Sequence, residues 1–258
     1  MNNFTGASPL APSRAQSMTE RGHWLAGRVA VVTGASRGIG AATAEAVAEV
    51  GAHVVLAARD SAALNDVAQH IIASGGKALS VPTDVSKGEE VQRLFAAAEQ
   101  MGGPTALVCA AGVLTNVPFG KTTSQIWEQT LGVNLTGTFL CCREAFNAMR
   151  IAGGGRIINI ASLSGIYAIE KFPGLAAYTA SKHGVVGLTE AIGVEGKEHN
   201  ITAVCLSPGA VDTEMLRRAA PGLRPGLTPR GVATLIVALL DDPLTIASGA
   251  NIPLFSNT

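Results

Sequence analysis

The sequence predicts an α/β fold in which one mostly parallel, seven-stranded sheet lies between two layers of helices. Short apolar segments alternate with helix-like segments along residues 25–258. The strand-like segments are apolar throughout, as expected for strands that are buried on both faces of a parallel sheet. Strand–helix alternation with short connections is typical of a doubly wound Rossmann domain. Because no linker divides this region, we expect one domain from residue 23 to residue 258.

Four strands and three helices are predicted in the first half of this domain. The strand segments are short apolar runs, and Gly51 closes the first helix. The predicted strands are 28–34, 53–59, 77–85 and 105–112, and the predicted helices are 38–51, 61–74 and 87–102.

The second half continues the alternation with three helices and three strands. It begins with a long helical region and ends with a short strand. The predicted helices are 123–150, 176–198 and 229–241, and the predicted strands are 155–162, 201–207 and 249–254.

Composition limits the class of partner. Charged residues make up 15% of the 258 residues, below the roughly 25% usual for soluble domains. We therefore expect a large core and surface that is buried between the subunits of a homo-oligomer. Basic and acidic residues number 19 each, so we expect no binding to nucleic acid or to an anionic membrane. No uncharged apolar run reaches the roughly 18 residues of a membrane span.

The cysteines and the N-terminal segment predict the compartment. The four cysteines show no metal-ligand spacing, which predicts no metal site and fits a reducing, cytoplasmic location. Residues 1–22 are rich in serine, proline and alanine and lack the apolar core of a secretory signal. We expect them to form a disordered extension.

Three glycines follow the first predicted strand, in the segment GASRGIG. Gly34, Gly38 and Gly40 permit a sharp turn and let phosphate approach the backbone, and the helix that follows offers unpaired N–H groups. The spacing G-x-x-x-G-x-G stands between a strand and a helix. That context predicts a dinucleotide-binding loop.

The end of the second predicted strand indicates which dinucleotide is bound. An acidic residue about 20 positions beyond the glycines would bind the ribose 2′-hydroxyl of NAD. Here Ala58 offers no carboxylate, and the neighbouring Arg59 is suited to a 2′-phosphate. Arg37 adds a second cation, and Asp60 is expected to cap the next helix. The sequence therefore favours NADP(H) over NAD(H).

Tyr178 and Lys182 lie four positions apart in a predicted helix, so both project from one face. A free phenol has a pKa near 10 and donates a proton poorly at neutral pH. An ammonium one helical turn away favours the phenolate, so we expect Lys182 to lower the pKa of Tyr178. The spacing alone leaves open the alternative of a surface pair without chemical function.

The glycine loop after Thr33 and the Tyr178–Lys182 pair together resemble the signature of the short-chain dehydrogenases/reductases, including the 3-oxoacyl-[acyl-carrier-protein] reductases. The resemblance runs from about residue 27 to residue 253. It implies a catalytic set of Asn134, Ser162, Tyr178 and Lys182. It also implies a cofactor site that consists of Gly34, Ser36, Arg37, Gly38, Ile39, Gly40, Arg59, Asp84, Val85, Ala110, Ala111, Gly112, Tyr178, Lys182, Pro208, Gly209, Val211 and Thr213.

The resemblance also implies a role for each catalytic residue. Tyr178 would exchange a proton with the substrate oxygen, and Ser162 would donate a hydrogen bond to it. Lys182 would tune the phenol and hold the nicotinamide ribose, and Asn134 would hold a water in a proton relay. Ser164 is the rival of Ser162, but its offset to the following glycine differs from the family pattern.

Two segments depart from the family pattern. VCAAG at 108–112 stands where the family usually has N-N-A-G, which removes the asparagine hydrogen bonds between strands. The C-terminal segment SGANIPLFSNT replaces the usual T-G-x-x-x-x-V-D-G-G. The loop between Ser162 and Tyr178 is longer than in many members and is expected to border the substrate.

The favoured function is reduction of a ketone, with a 3-oxoacyl thioester among the candidate substrates. An NAD-dependent alcohol or hydroxysteroid dehydrogenase and a non-catalytic dinucleotide sensor are the alternatives. The segment after Thr213 contains four arginines that either attract an anionic carrier group or form solvated surface: Arg217, Arg218, Arg224 and Arg230. Long helices rich in small residues predict a homo-oligomer, either a dimer or a tetramer.

Overall fold

Seven parallel strands form the single sheet of this computed structural model, which describes residues 23–169, 171–241 and 247–255. The predicted extension, residues 1–22, lies outside the described residues. The strands are β1 (Val29–Thr33), β2 (His53–Ala58), β3 (Lys77–Pro82), β4 (Pro104–Cys109), β5 (Gly155–Ile160), β6 (Ile201–Pro208) and β7 (Asn251–Leu254). The helices described are α1 (Gly38–Glu49), α2 (Ser61–Ala73), α3 (Gly88–Gln100), α4 (Ser124–Leu131), α5 (Gly137–Ile151), α6 (Ala176–Glu195), α7 (Glu214–Ala219) and α8 (Pro229–Asp241).

The strand order is β3-β2-β1-β4-β5-β6-β7, and every pairing is parallel. The winding reverses between β1 and β4, where Val31 pairs with Leu107. In doubly wound sheets, ligands bind at this switch point, beyond the carboxyl ends of the strands. The fold thus places the segments after β1 and β4 side by side at the expected ligand crevice.

Helices cover both faces of the sheet because successive side chains of each strand point to opposite sides. Val32 joins one apolar cluster, in which Val47 of α1 and Ile236 of α8 are also buried. Val31 joins the cluster on the other face, which includes Leu94 of α3 and Met149 of α5. Strands that are buried on both faces account for the uninterrupted apolar runs in the sequence.

The predicted fold class and the order of the strands and helices are confirmed, with two local differences. The helical region predicted at 123–150 is two helices, α4 and α5, joined by a π-helical turn at Gly132–Thr136. The short helix α7 was not predicted; Thr213 caps it by accepting a hydrogen bond from the Leu216 N–H at 3.2 Å. Among the residues described, no helix combines the length and apolarity needed for a membrane span.

Candidate active site

A cleft of about 1710 Å³ lies at the carboxyl ends of the strands. Pockets for drug-sized ligands occupy roughly 300–1,000 Å³, so this cleft has room for a dinucleotide together with a small substrate. All predicted site residues line it except Asn134. The chain therefore brings the predicted cofactor residues and three of the four predicted catalytic residues into one cavity.

The glycine loop packs directly against the segment that follows β4. Gly34 has a φ of +67°, and a Cβ atom there would lie 2.7 Å from the backbone nitrogen of Ala111. A Cβ at Gly40 would overlap the carbonyl oxygen of Gly34. Any side chain at these positions would push the two segments apart, which explains the glycines physically.

The first turn of α1 has the properties of an anion site. Arg37 occupies the N-cap position without a capping side-chain hydrogen bond, and the turn contains no acidic residue. Its free N–H groups and the positive end of the helix dipole suit a pyrophosphate. Thr213 closes the other side, since a Cβ at Gly38 would lie 3.3 Å from its methyl carbon. These residues fit the dinucleotide that the sequence predicts.

The residues after β2 are Arg59, which lies in the cleft wall, and Asp60, which caps the next helix. Asp60 accepts a hydrogen bond from the Ala63 N–H at 3.1 Å, which confirms its predicted role as the cap of α2. Arg59 is exposed in the cleft wall beside it. The other predicted cation, Arg37, forms an ion pair with Glu214 of α7, with 2.6 Å between Nη1 and Oε2. Sequence reasoning missed Glu214, although an acidic residue directly after a cap-forming threonine is a typical first-turn signal.

Asp84 presents an ionised carboxylate after β3. Burial raises the pKa of its carboxyl, but the two hydrogen bonds from Ser86 and the charges of Arg59 and Lys87 together hold that pKa below its usual value. The Ser86 N–H and hydroxyl donate to one carboxylate oxygen at 3.1 and 2.7 Å. The side chain is thus held in one orientation at the edge of the cleft.

Thr33 forms a hydrogen bond between strands at the place where VCAAG, at 108–112, lacks the asparagines of the family pattern. Its hydroxyl oxygen accepts a hydrogen bond from the Ala111 N–H at 3.2 Å. The end of β1 is therefore tied to the segment after β4 although Ala110 and Ala111 carry no polar side chain. The close approach at Gly34 is retained without asparagine.

Tyr178 and Lys182 share one face of α6, as the spacing predicts. The Lys182 Nζ atom lies 5.6 Å from the centre of the Tyr178 ring and donates a hydrogen bond to the Ile160 carbonyl at 2.8 Å. Burial lowers the pKa of Lys182 to about 8. The ammonium is therefore held inside the protein, next to the end of β5.

The expected lowering of the Tyr178 pKa is wrong. Burial raises the pKa of this half-buried phenol, and the hydrogen-bonding influence of Ser162 only partly opposes the rise. Withdrawal from water penalises the phenolate, and the ammonium of Lys182 is hydrogen-bonded to a carbonyl instead of to the phenol oxygen. At neutral pH, the phenol keeps its proton.

Asn134 lies in the π-helical turn, and its side chain does not reach the cleft. Its Oδ1 accepts from the Val113 N–H at 2.8 Å, and its Nδ2 donates to the Val113 carbonyl at 2.9 Å and to the Ser181 hydroxyl at 3.0 Å. The amide is fully used in fixing the segment after β4 to α6. Its main-chain carbonyl accepts from the Thr138 hydroxyl at 2.8 Å, and the role of Asn134 in holding a water stays a prediction.

The turn that follows β5 distinguishes Ser162 from its rival, Ser164, by how far each side chain is exposed. The Ser162 hydroxyl accepts from the Ser164 N–H at 3.2 Å and caps a 3-10 turn at Leu163–Gly165. Both serines line the cleft, but Ser164 is buried and Ser162 is half-buried. Tyr167 is 91% exposed and is not part of the cleft wall. The geometry therefore groups Ser162 with Tyr178 as the accessible hydroxyl pair.

Comparison with known proteins places these features in a family. Residues 28–223 match the family model described as short chain dehydrogenase. The chain is 37% identical over 193 residues to the 3-oxoacyl-[acyl-carrier-protein] reductase of Synechocystis sp., an alignment that covers 74% of this chain and 77% of that protein.

Solved structures agree with this result. A short-chain type dehydrogenase/reductase from Mycobacterium marinum is 34% identical, with a TM-score of 0.85 over 90% of this chain and 95% of that one. A candidate NAD(P) dependent gluconate 5-dehydrogenase from Beutenbergia cavernae, with NADP bound at low occupancy, is 31% identical. Its TM-score is 0.82 over 89% of this chain and 95% of that one.

Proposed function

Because the chain belongs to the short-chain dehydrogenase/reductase family, we propose that it interconverts a ketone and a secondary alcohol with NADP(H). Members of the family are oxidoreductases that act on CH–OH or carbonyl groups with a nicotinamide dinucleotide. One domain, residues 23–258, carries this activity. The observation that supports it most strongly is the placement of Ser162, Tyr178 and Lys182 in the same cleft as the glycine loop.

The dinucleotide, when bound, supplies or accepts the hydride. The first turn of α1 and the segment after β6 would hold its phosphates, and Lys182 would hold the nicotinamide ribose. Ser162 and Tyr178 donate hydrogen bonds to the substrate oxygen and stabilise the charge that develops there. These two hydrogen bonds would orient the carbonyl.

Tyr178 then donates its proton to the substrate oxygen. Its raised pKa keeps the phenol protonated at neutral pH, and the substrate alkoxide that hydride transfer produces is a far stronger base than a phenolate, so the proton passes to the substrate oxygen. The Lys182 ammonium, whose pKa is about 8, stabilises the phenolate that remains. A water held at Asn134 would return a proton from solvent through Lys182.

Arg59 is the basis for NADP(H) in preference to NAD(H). A guanidinium binds a phosphate through two parallel hydrogen bonds, and Asp60, the nearest carboxylate along the chain, is used in capping α2. The Beutenbergia cavernae structure, which contains NADP, supports the same assignment. Arg37 would contribute after its ion pair with Glu214 opens.

We also infer a cytoplasmic homotetramer or homodimer. The four cysteines are free, buried thiols, which suits a reducing compartment. Phe139 of α5 and Val194 of α6 are large apolar side chains exposed on the two helices that were predicted to pack between subunits. A shared interface would cover both.

Oxidation of an alcohol with NAD⁺ is the second candidate function. Its direction, though not its cofactor, is favoured by the name of the Beutenbergia cavernae relative, which is given as an NAD(P) dependent gluconate 5-dehydrogenase. The raised pKa of Tyr178 opposes it near neutral pH, because oxidation requires the phenolate as the base.

The test is cofactor consumption by the purified protein at pH 7. NADPH and NADH are each supplied with acetoacetyl thioester, a small ketoester, a cyclic ketone and a steroid ketone, and NADP⁺ and NAD⁺ with the matching alcohols. We expect turnover of at least one carbonyl with NADPH and slower turnover with NADH. Faster turnover with NADH would contradict the role of Arg59. Binding of both cofactors without consumption of either would favour a dinucleotide sensor.

A further inference from the structure

Three segments meet at the end of the cleft beyond Tyr178, which we call the substrate end. The Val117 N–H donates to the Gly174 carbonyl at 3.0 Å, which ties the segment after β4 to the segment after β5. Asn116 donates to the Ala219 carbonyl at 3.4 Å, which ties it to α7. These contacts place side chains from all three segments around one opening.

Four large apolar side chains are exposed in the wall of this cleft. They come from three different segments yet line the same cleft, and we call them the apolar rim: Phe172 (61% exposed), Met215 (38%), Leu223 (41%) and Phe255 (53%). Phe255 follows Leu254, whose carbonyl accepts from the Gly209 N–H at 2.9 Å, so Phe255 lies next to the segment after β6. Apolar groups that cluster on a protein surface mark a binding site.

The arginines that follow Thr213 differ in whether they are paired. Arg217 forms an ion pair with Asp212, and Arg218 with Glu214. Arg230 pairs with Glu49 at 2.9 Å, outside the cleft. Within the part of the chain that the structure describes, these three guanidinium groups therefore have neighbouring carboxylates.

Arg224 is the exception. It follows Leu223 of the apolar rim directly, is exposed and lines the cleft. Among the residues described, it has neither an ion-pair partner nor a hydrogen-bond partner. The substrate end therefore presents one available cation beside an exposed apolar surface.

We infer that the substrate is an amphipathic carbonyl compound, in which an apolar chain joins the reacting carbonyl to an anionic group that binds Arg224. The carbonyl would lie at Ser162 and Tyr178, and the chain would cover the apolar rim. The inference rests on the proposed function and adds the substrate class. A carboxylate and the phosphate of a phosphopantetheine thioester share the required chemistry, since a guanidinium binds both.

The first experiment compares charged and neutral carbonyl compounds of equal length. The enzyme is given NADPH and a series of keto acids, CH3–CO–(CH2)n–COO⁻, alongside their methyl esters, and kcat/KM is measured for each. We expect the acid to exceed its ester by about tenfold at the best chain length, the effect of one charge-assisted hydrogen bond. Arg224→Gln should reduce this ratio to about one, and 0.5 M salt should weaken it in the natural protein.

Two control variants separate charge from structure. Arg230→Gln removes another exposed arginine that lies outside the cleft, and we expect it to keep the acid-to-ester ratio. Phe172→Ala tests the apolar rim: in the natural protein kcat/KM should rise about twofold to fourfold per added CH2, and the variant should show a smaller rise. A second substrate pair, acetoacetyl-pantetheine and its 4′-phosphate, distinguishes a phosphate from a carboxylate.

The outcomes separate the inference from the proposed function. A preference for the charged member of either pair that depends on Arg224 supports the inference and identifies the anion. Equal turnover of charged and neutral substrates, or a preference that survives in Arg224→Gln, would overturn it while the reductase function stands. Absence of turnover with every carbonyl would overturn the proposed function itself, together with the inference.

Discussion

The two ends of the cleft are built in different ways. At the cofactor end, backbone packs on backbone: Gly34 has no room for a side chain, and Thr33 ties β1 to Ala111. At the substrate end, the walls are exposed side chains such as Phe172 and Arg224, carried by segments outside the sheet. The first construction fixes one ligand tightly, and the second sets specificity through a few replaceable side chains.

The difference between the two constructions is tested most directly by two glycine substitutions, one in the glycine loop and one in the segment between α7 and α8. Gly34→Ala places a Cβ 2.7 Å from the Ala111 nitrogen at a φ of +67°. We expect NADPH binding to be lost, since strain and displacement together cost about 4 kcal/mol. The matched variant, Gly222→Ala, lies between α7 and α8, with no atom within 4 Å of the added Cβ.

Isothermal titration with NADPH and thermal unfolding would be measured on both variants. We expect Gly222→Ala to bind NADPH and to unfold as the natural protein does. If Gly34→Ala binds NADPH normally, the cofactor end is more adaptable than its packing indicates.

A second prediction concerns Lys182, which is buried where the two ends meet. Its pKa is about 8 in the folded protein and 10.5 as a free side chain. Between those values, the unfolded chain binds a proton that the folded protein has released, so the stability should rise with pH. Lys182→Met should remove this rise, which amounts to about 3 kcal/mol over the window.

Urea unfolding of the natural protein and of Lys182→Met at several pH values from 7 to 10.5 gives the difference between their free energies of unfolding. The difference is the relevant quantity, because burial raises the pKa of Cys205 and Tyr178 and those groups change the stability in the opposite direction. A difference that stays constant with pH would show that Lys182 keeps its ordinary pKa.

The third prediction has the smallest expected effect and concerns Arg59, on which the proposed preference for NADP(H) depends. Arg59 is exposed and adds nothing to the packing, so Arg59→Gln should fold normally. We expect the preference for NADPH over NADH to fall by about tenfold, the value of one charge-assisted contact to phosphate. The ratio of the two Kd values, with Arg93→Gln of α3 as the exposed control, would measure it; an unchanged ratio would assign the phosphate to other residues.

The difference between local requirements and contacts that are remote in sequence explains which features the sequence could predict. The strands and the glycine loop were predictable because burial on both faces and close backbone approach each require particular residue types, and Asp60 was predictable as a local cap. The Arg37–Glu214 ion pair joins residues far apart in the chain, and no local pattern predicts it. The π-helical turn around Asn134 is stabilised by contacts with Val113 and Ser181, which are also remote in sequence.

The pKa of Tyr178 likewise depends on surroundings that no local sequence pattern describes. The four-residue spacing to Lys182 gave the correct face of α6, but the spacing contains no information about burial. Withdrawal of the phenol from water, which depends on the whole wall of the cleft, reverses the expected direction.

The central claim, that Tyr178 donates the proton in a carbonyl reduction, is tested by measuring turnover and NADPH affinity on one preparation of Tyr178→Phe. The carbonyl that the natural protein reduces best is the substrate, and Tyr167→Phe, which changes the exposed tyrosine outside the cleft, is the control. We predict that turnover falls about a thousandfold in Tyr178→Phe, while NADPH still binds and Tyr167→Phe stays fully active. Turnover that persists in Tyr178→Phe would contradict the claim.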